Sequence, residues 1–398
     1  MNLLDCVATW IEPLRPALPQ LTEAHLDYLH TLEADLATLL VDAPAVHTPA
    51  GLLAVRRSLA VTGPRPDDLG AGPVAALVDT LAGFVCGFHD LDLRDATGPG
   101  HGRMILRHGT LSTQERWAAR LAAGELVGIA ATERHGGSRL QEITTRAVAH
   151  PRGGWRLFGQ KCWVSRLGEA SGFVVFFKNP DGQITAAVVD ADTPGLERGP
   201  VTPAGLGGWT WGSLSLTDVA ISPDDLVGGD GDGLTVFREH FARFRPLVAA
   251  IASGTAAGVH SSVRATLRGR LTTGILPRLR DTALVTLGRT CIEINAALLS
   301  ALASAQITAG GGSDADLWSR TVKAHAVDTA HRAVQDLALL VGAQGFQAAS
   351  PLAKARADLG GLLMADGIHD SLLRSAGRIL SAPPAVRPAV RLPAVLAA

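Results

Sequence analysis

The sequence predicts an α+β chain built as three consecutive units, helical, then β, then helical, and three observations carry that reading. Apolar residues recur at helical spacing through the first 125 residues. From 126 the segments shorten and become rich in Val, Ile, Phe and Trp, as strands are. After "DDLVGGDGDGL" the helical period returns and lasts to about 381. The units are therefore an all-α region over 1–125, a β region over 126–236, a helical region over 237–381 and a proline-rich tail over 382–398. A chain of 398 residues exceeds what one core usually supports, which agrees with several packed units.

In the first unit "LTEAHLDYLHTLEADLATLL" and "PVAALVDTLAGFV" each carry a helical apolar stripe, separated by the Pro- and Gly-rich "TGPRPDDLGAG". "GTLSTQERWAARLAAGE" reads as a helix with Ser112 or Thr113 at its N-cap and Gly124 at its end. The strands are "LVGIAAT", "TTRAVAH", "GWRLFGQKCWVS", "GFVVFFK", "ITAAVVD" and "GSLSLTDVAI", punctuated by "PRGG" and "NPDG", which predicts an antiparallel barrel or sandwich. In the third unit "GGGS" (310–313) separates two long helices, and "PLVAAIASGTAAGV" (246–259) reads as a buried helix packed closely on its neighbours.

Composition excludes several classes. A net charge of -1 and no long basic block argue against a nucleic-acid partner. The apolar run 246–259 is too short and too rich in small residues to span a bilayer, so no membrane partner is expected. Cys6, Cys86, Cys162 and Cys291 form no CxxC pair, which points away from zinc and fits a reducing, cytoplasmic location. There is no GxSxG, no HExxH, no Walker lysine loop and no GxGxxG opening a βαβ unit. "GGDGDG" (228–233) lacks the further oxygen ligands a calcium loop needs and reads as a connection, so no metal is expected. Among the histidines, His369 beside Asp370 and Asp366 forms a polar cluster at a helix start.

Two stretches carry chemistry. "ATERHGGS" (131–138) puts a glycine-bearing polar turn at the end of an apolar run, as a backbone that must approach a ligand would. In "GQKCWVS" (159–165) Trp163 and Ser165 lie two apart on a strand, hence on one face, a flat aromatic beside a hydroxyl.

These segments, with "HGTLSTQERWAARLAAGELVGIAATERHGGS", "WGSLSLTDVAI", "FRPLVAAIASGTAAG" and "LLVGAQGFQAASPLAKARAD" in this order, resemble the acyl-CoA dehydrogenase family from about 105 to 380. The resemblance implies a C-terminal four-helix bundle and an FAD site. Ile129, Ala131, Thr132 and Ser138 would line it, with Thr132 and backbone amides on the pyrimidine edge and Ser138 on the pyrophosphate. Trp163 would cover the isoalloxazine and Ser165 approach N5. Gly342, Gln344 and Gly345 would meet the adenine and pyrophosphate portion from a neighbouring subunit, and Arg270 takes the place of the family's FAD-clamping arginine. In the family a glutamate followed by glycine removes the α-proton of an acyl thioester while hydride leaves the β-carbon. Counting from Pro351 and Asp358, that position is Asp366, followed by Gly367, and Arg245 matches an arginine near the base.

The chain departs from the pattern at several of these positions. Thr273 stands for a phenylalanine and Leu339 for a glutamine, each a loss of about 1 kcal/mol of cofactor affinity. Aspartate reaches about 1.5 Å less far than glutamate, and a misplacement of that size costs around a hundredfold. The family's other base position is Phe244, which accepts no proton. Arg139 replaces the aspartate that commonly follows Gly-Ser in the family, and Ala242 stands where some members present an acid toward the thioester arm, which opens the choice between CoA and an acyl carrier protein as the carrier.

The expectation is an FAD-dependent, homodimeric or homotetrameric enzyme that desaturates an acyl thioester in specialised, polyketide-type bacterial biosynthesis. Two alternatives stay open: a flavin-dependent monooxygenase of the same fold, and a non-redox enzyme of cyclisation or elimination that has lost firm FAD binding.

Overall fold

The computed structural model describes residues 5–42, 48–62, 72–135, 139–151, 153–348 and 350–382. The N-terminal helices are α1 (Glu23–Asp42), α2 (Pro49–Thr62), α3 (Pro73–His89), α4 (Arg103–His108) and α5 (Leu111–Ala122), with a short 3-10 turn at Leu91–Asp95. The strands are β1 (Val127–Ala130), β2 (Arg146–Ala149), β3 (Trp155–Ser165), β4 (Gly172–Lys178), β5 (Ile184–Asp190), β6 (Leu196–Val201) and β7 (Trp211–Ile221). The C-terminal helices are α6 (Gly233–Thr272), α7 (Asp281–Ala309), α8 (Ala315–Val341), α9 (Pro351–Leu362) and α10 (His369–Ser381).

Helix α3 is apolar around most of its circumference because it is a core helix, with every residue from Leu77 to Phe88 buried except Asp79, and it packs against α1, α6 and α7. Its contact with α6 is set by glycines. A Cβ at Gly87 would sit 2.2 Å from the carbonyl oxygen of Ile251, and one at Gly254 would sit 2.1 Å from that of Phe84. The small-residue run 246–259 is thus the place where two helix backbones touch. Helix α5 starts one turn edge earlier than its sequence suggests: the N-cap is Thr110, extended at ψ 160 and accepting from Thr113 N–H, rather than Ser112 or Thr113.

The seven strands form one sheet in the order β1-β4-β2-β3-β7-β6, with β5 on β4. Pairs β2–β3, β3–β7, β4–β5 and β6–β7 are antiparallel, whereas β1 and β2 both run parallel to β4. The sheet is therefore mixed, because β4 returns beside β1 after the β2–β3 hairpin rather than forming a hairpin with β3. Helix α7, not the 246–259 run, is long and apolar enough to cross a membrane by length and composition; it packs against α3, α6 and α8.

The three units are tied by the turn after α3. Lys354 of α9 places Nζ 2.7 Å from Asp90, 2.6 Å from Asp92 and 2.6 Å from Asp358. Asp358 also accepts from the Leu206 N–H at 2.6 Å, and Trp209 donates to the Asp92 carbonyl at 2.7 Å, which brings in the loop before β7.

Candidate active site

On the β unit the site begins with a buried carboxylate. Glu133 follows β1 and accepts from the N–H and hydroxyl of Thr144, from those of Thr145, and from Lys161 Nζ at 2.8 Å. Burial pushes its carboxyl up, but the bonds from Lys161 and the two threonines outweigh that and hold it at about 2. Burial pulls the Lys161 ammonium down to about 8 against the pull of Glu133. This pair fixes the 131–135 turn on β3, and the Cys162 N–H closes the contact by donating to the Thr132 carbonyl at 2.9 Å.

Ile129, Ala131 and Thr132 are half-buried along that edge. Ser138, with Gly136 and Gly137, lies outside the described residues. Between Trp163 and Ser165 the strand carries an irregularity that their spacing does not reveal. The β3–β7 register shifts between Lys161 and Val164, where three residues of β3 span two of β7, and Trp163 takes φ 55 at this bulge. Its indole is 61% exposed, while Ser165 is buried. A left-handed backbone is costly for a bulky aromatic and marks a place held for a purpose. The exposed indole beside Thr132 is a surface that a flat ring would cover, so these residues fit an isoalloxazine.

A second group lies at the end of the bundle. Arg270, in the last turn of α6, donates from Nη2 to the Val341 carbonyl at 3.1 Å and to Gln344 Oε1 at 3.0 Å. Gly342 stops α8 at φ 70, and Gly345 is buried where a Cβ would meet Leu352 at 2.7 Å. Gly345 lines an open cavity of about 350 Å³ with Gln335, Phe346, Ala353, Arg356 and Ala357. Thr273 spends its hydroxyl on the Gly269 carbonyl, and Leu339 is 80% exposed. Among the described residues no hydrogen bond or ion pair joins this group to the β-unit rim.

The third group is where the units meet. Asp366 sits after α9 at φ 55, followed by Gly367 at φ 114. Arg94 Nη1 lies 3.0 Å from Asp366 Oδ2, with side-chain exposures of 4% and 11%. Arg245 donates from Nε to the Asp366 carbonyl at 3.4 Å, lies over the Phe241 ring, and approaches Asp316 at 3.9 Å. Lys323, fully buried on α8, donates to the carbonyls of Leu362 at 2.7 Å and Gly367 at 2.9 Å, so it grips the Asp366 loop at both ends. Burial, against the field of Asp366, brings its ammonium down to about 7. Behind Phe244, His101 Nδ1 and His240 Nε2 meet at 2.9 Å; burial and nearby arginines drop His240 to about 3, which keeps it neutral. A cavity of only about 20 Å³ opens between Arg94, Asp95, Arg103 and Phe244. Asp79, Gly100 and Ile251 also line it.

Residues 128–219 match the acyl-CoA dehydrogenase middle domain and residues 231–380 the acyl-CoA dehydrogenase C-terminal domain. The chain belongs to the acyl-CoA dehydrogenase family. It is 30% identical over 190 residues to the mitochondrial very long-chain specific acyl-CoA dehydrogenase of Homo sapiens, covering 44% of this chain and 29% of that one. The chain thus spans less than a third of that relative's length. The fold of an acyl-CoA dehydrogenase is clear from solved structures. A glutaryl-CoA dehydrogenase of Mycobacterium smegmatis, described in complex with FADH2, superposes with a TM-score of 0.79 at 19% identity, covering 94% of this chain and 98% of that one. The prolyl acyl carrier protein oxidase AnaB superposes with a TM-score of 0.76 at 18% identity, covering 91% and 100%.

Arg94, Asp95, Arg166, Lys323, His101 and His240 are the site residues that the sequence reading missed. Lys323 carries a signal, a charge inside the largely apolar "TVKAHAV", whereas Arg94, Asp95, His101 and His240 stand in charged or glycine-bearing stretches that give none.

Proposed function

We propose that the protein is an FAD-dependent dehydrogenase that introduces an α,β double bond into an acyl thioester. The observation that carries this reading is the Asp366 carboxylate: Oδ2 is held by Arg94 and Oδ1 has no hydrogen-bond partner among the described residues. It is a carboxylate fixed in direction with one oxygen left to accept a proton. Family membership and the strained, exposed Trp163 support the flavin part of the reading.

In this mechanism Ile129, Ala131, Thr132, Trp163 and Ser165 hold the isoalloxazine, and Arg270, Gly342, Gln344 and Gly345 of a second copy hold the dinucleotide end. When bound, FAD supplies the acceptor for hydride from the substrate β-carbon. Asp366 takes the α-proton, Arg94 and Arg245 keep its loop and carboxylate in place, and Lys323 closes the loop from below. Fold likeness to an acyl carrier protein oxidase, together with Arg139 where the family commonly has an aspartate and Ala242 where some members have an acid, supports a carrier-protein thioester. A second copy of the chain would also cover Val285, Ile292 and Leu299, exposed at seven-residue spacing on α7.

Anaerobic mixing of the FAD-loaded protein with short acyl-carrier and acyl-CoA thioesters tests this. Bleaching of the visible flavin band with formation of an enoyl thioester supports it. Flavin that is reduced only by a nicotinamide and then consumes oxygen with hydroxylation would replace it with the monooxygenase reading.

A further inference from the structure

A buried chain of alternating charge runs from Asp366 to Ser165. Asp366 Oδ2 lies 3.0 Å from Arg94 Nη1, and Arg94 Nε lies 3.6 Å from Asp95 Oδ2. Asp95 contacts the Arg166 guanidinium directly, and Arg166 Nη1 donates to Ser165 Oγ at 2.7 Å. The four charged side chains are 11% exposed or less, Arg166 not at all. Burial would raise the Asp95 carboxyl, yet Arg166 and Arg94 hold it below the usual range. The chain begins in the loop after α9, passes through the 3-10 turn Leu91–Asp95 and ends on β3, so each unit contributes a link.

Because Ser165 Oγ accepts from Arg166, its own O–H is left to donate, and a cation stands against that donor. The relay's own side chains are two anions and two cations, and the buried Arg56, which donates to the Asp95 carbonyl at 2.7 Å, adds a further cation beside them. The other charges facing Asp366 are Arg245 and Lys323, which bond backbone carbonyls, with Asp316 and Asp328 beside them. Among the described residues only Arg94 forms an ion pair with the Asp366 carboxylate. Adding a proton to Asp366 therefore makes the chain more positive by one charge in a medium where charges are weakly screened.

We propose that Asp366, Arg94, Asp95, Arg166 and Ser165 form a relay that raises the electron affinity of the bound flavin when Asp366 takes up a proton. This rests on the dehydrogenase reading above. There the substrate loses one proton, from the α-carbon to Asp366, and one hydride, from the β-carbon to the flavin. Two hydrogens and two electrons leave as the C–C bond becomes C=C. The relay joins the two departures: the proton's arrival at one end favours the electrons' arrival at the other. Arg94, Asp95 and Arg166 are positioning residues in this scheme.

The test is the flavin midpoint potential of the substrate-free, FAD-loaded protein, measured by dye equilibration. Asp366→Asn mimics the protonated carboxyl and should raise the potential, favouring the reduced state by about tenfold. Ser165→Ala, a small change that removes the last link, should abolish most of that response when combined with Asp366→Asn. Arg166→Met provides a second cut, and Ser165→Ala keeps the test open should Arg166→Met fail to fold. No shift in Asp366→Asn, or an equal shift with and without Ser165, overturns the relay. If thioesters still bleach the flavin, the dehydrogenase reading survives that result. Failure of every variant and of the parent to take up FAD overturns both.

Discussion

Arg94 and Asp366, 272 residues apart in sequence, form an ion pair of 3.0 Å with almost no solvent at either side chain. Removing one partner of such a pair strands the other without its counter-charge. Arg94→Met should destabilise the protein by about 3–5 kcal/mol, while the additional loss in Arg94→Met/Asp366→Leu should be smaller than for either change alone. Chemical denaturation of the two single variants and the double variant checks this. Additive losses would mean that the two residues do not act as a pair.

Glu133 makes folding sensitive to acid. Its carboxyl sits at about 2 in the folded protein against an ordinary 4.5, so its stabilisation is present above pH 4.5 and is lost as pH falls through about 2. Lys161 does not contribute in that window, since it is protonated in both states well below its value of about 8. Acid titration of stability should show a loss of about 3 kcal/mol that Glu133→Gln does not show. An unchanged acid limb in that variant would contradict the assignment.

Trp163 should contribute to FAD binding through ring contact. Trp163→Ala is expected to weaken FAD affinity by about tenfold with little change in stability, because an indole 61% exposed carries little of the core. Flavin titration of the apoprotein and thermal unfolding report the two effects separately.

The fold was legible because its signals are local. The helical stripes of α1 and α3, the turn at "NPDG" and the break at "GGGS" each depend on a few neighbouring residues. Asp366 and Arg245 were found by position along the chain, and the structure does bring them together at the Asp366 carbonyl. The mixed pairing of β4 and the bulge at Trp163 were not legible, since each depends on which strand lies alongside. Arg94, Arg166 and Lys323 come from three different units and acquire meaning only when those units meet around Asp366. A sequence shows such residues as isolated charges.

Assembly should control the cofactor. Arg270 and Gln344 are bonded to each other, and on this account it is a second copy that brings them to the flavin. Ile292, 65% exposed on α7, is a position where a charge would oppose association. Ile292→Glu should reduce the mass seen by light scattering to that of a monomer of 41.3 kDa and lower FAD content in parallel. A monomer that keeps full FAD content would contradict the shared site.

The central claim is that Asp366 removes a proton from an acyl thioester while FAD accepts the hydride. It is tested most directly by anaerobic reduction of the FAD-loaded protein with a short acyl thioester, parent beside Asp366→Asn. The account predicts bleaching in the parent and none in Asp366→Asn at equal FAD content. Equal bleaching in both, or a parent that binds no FAD, would contradict it.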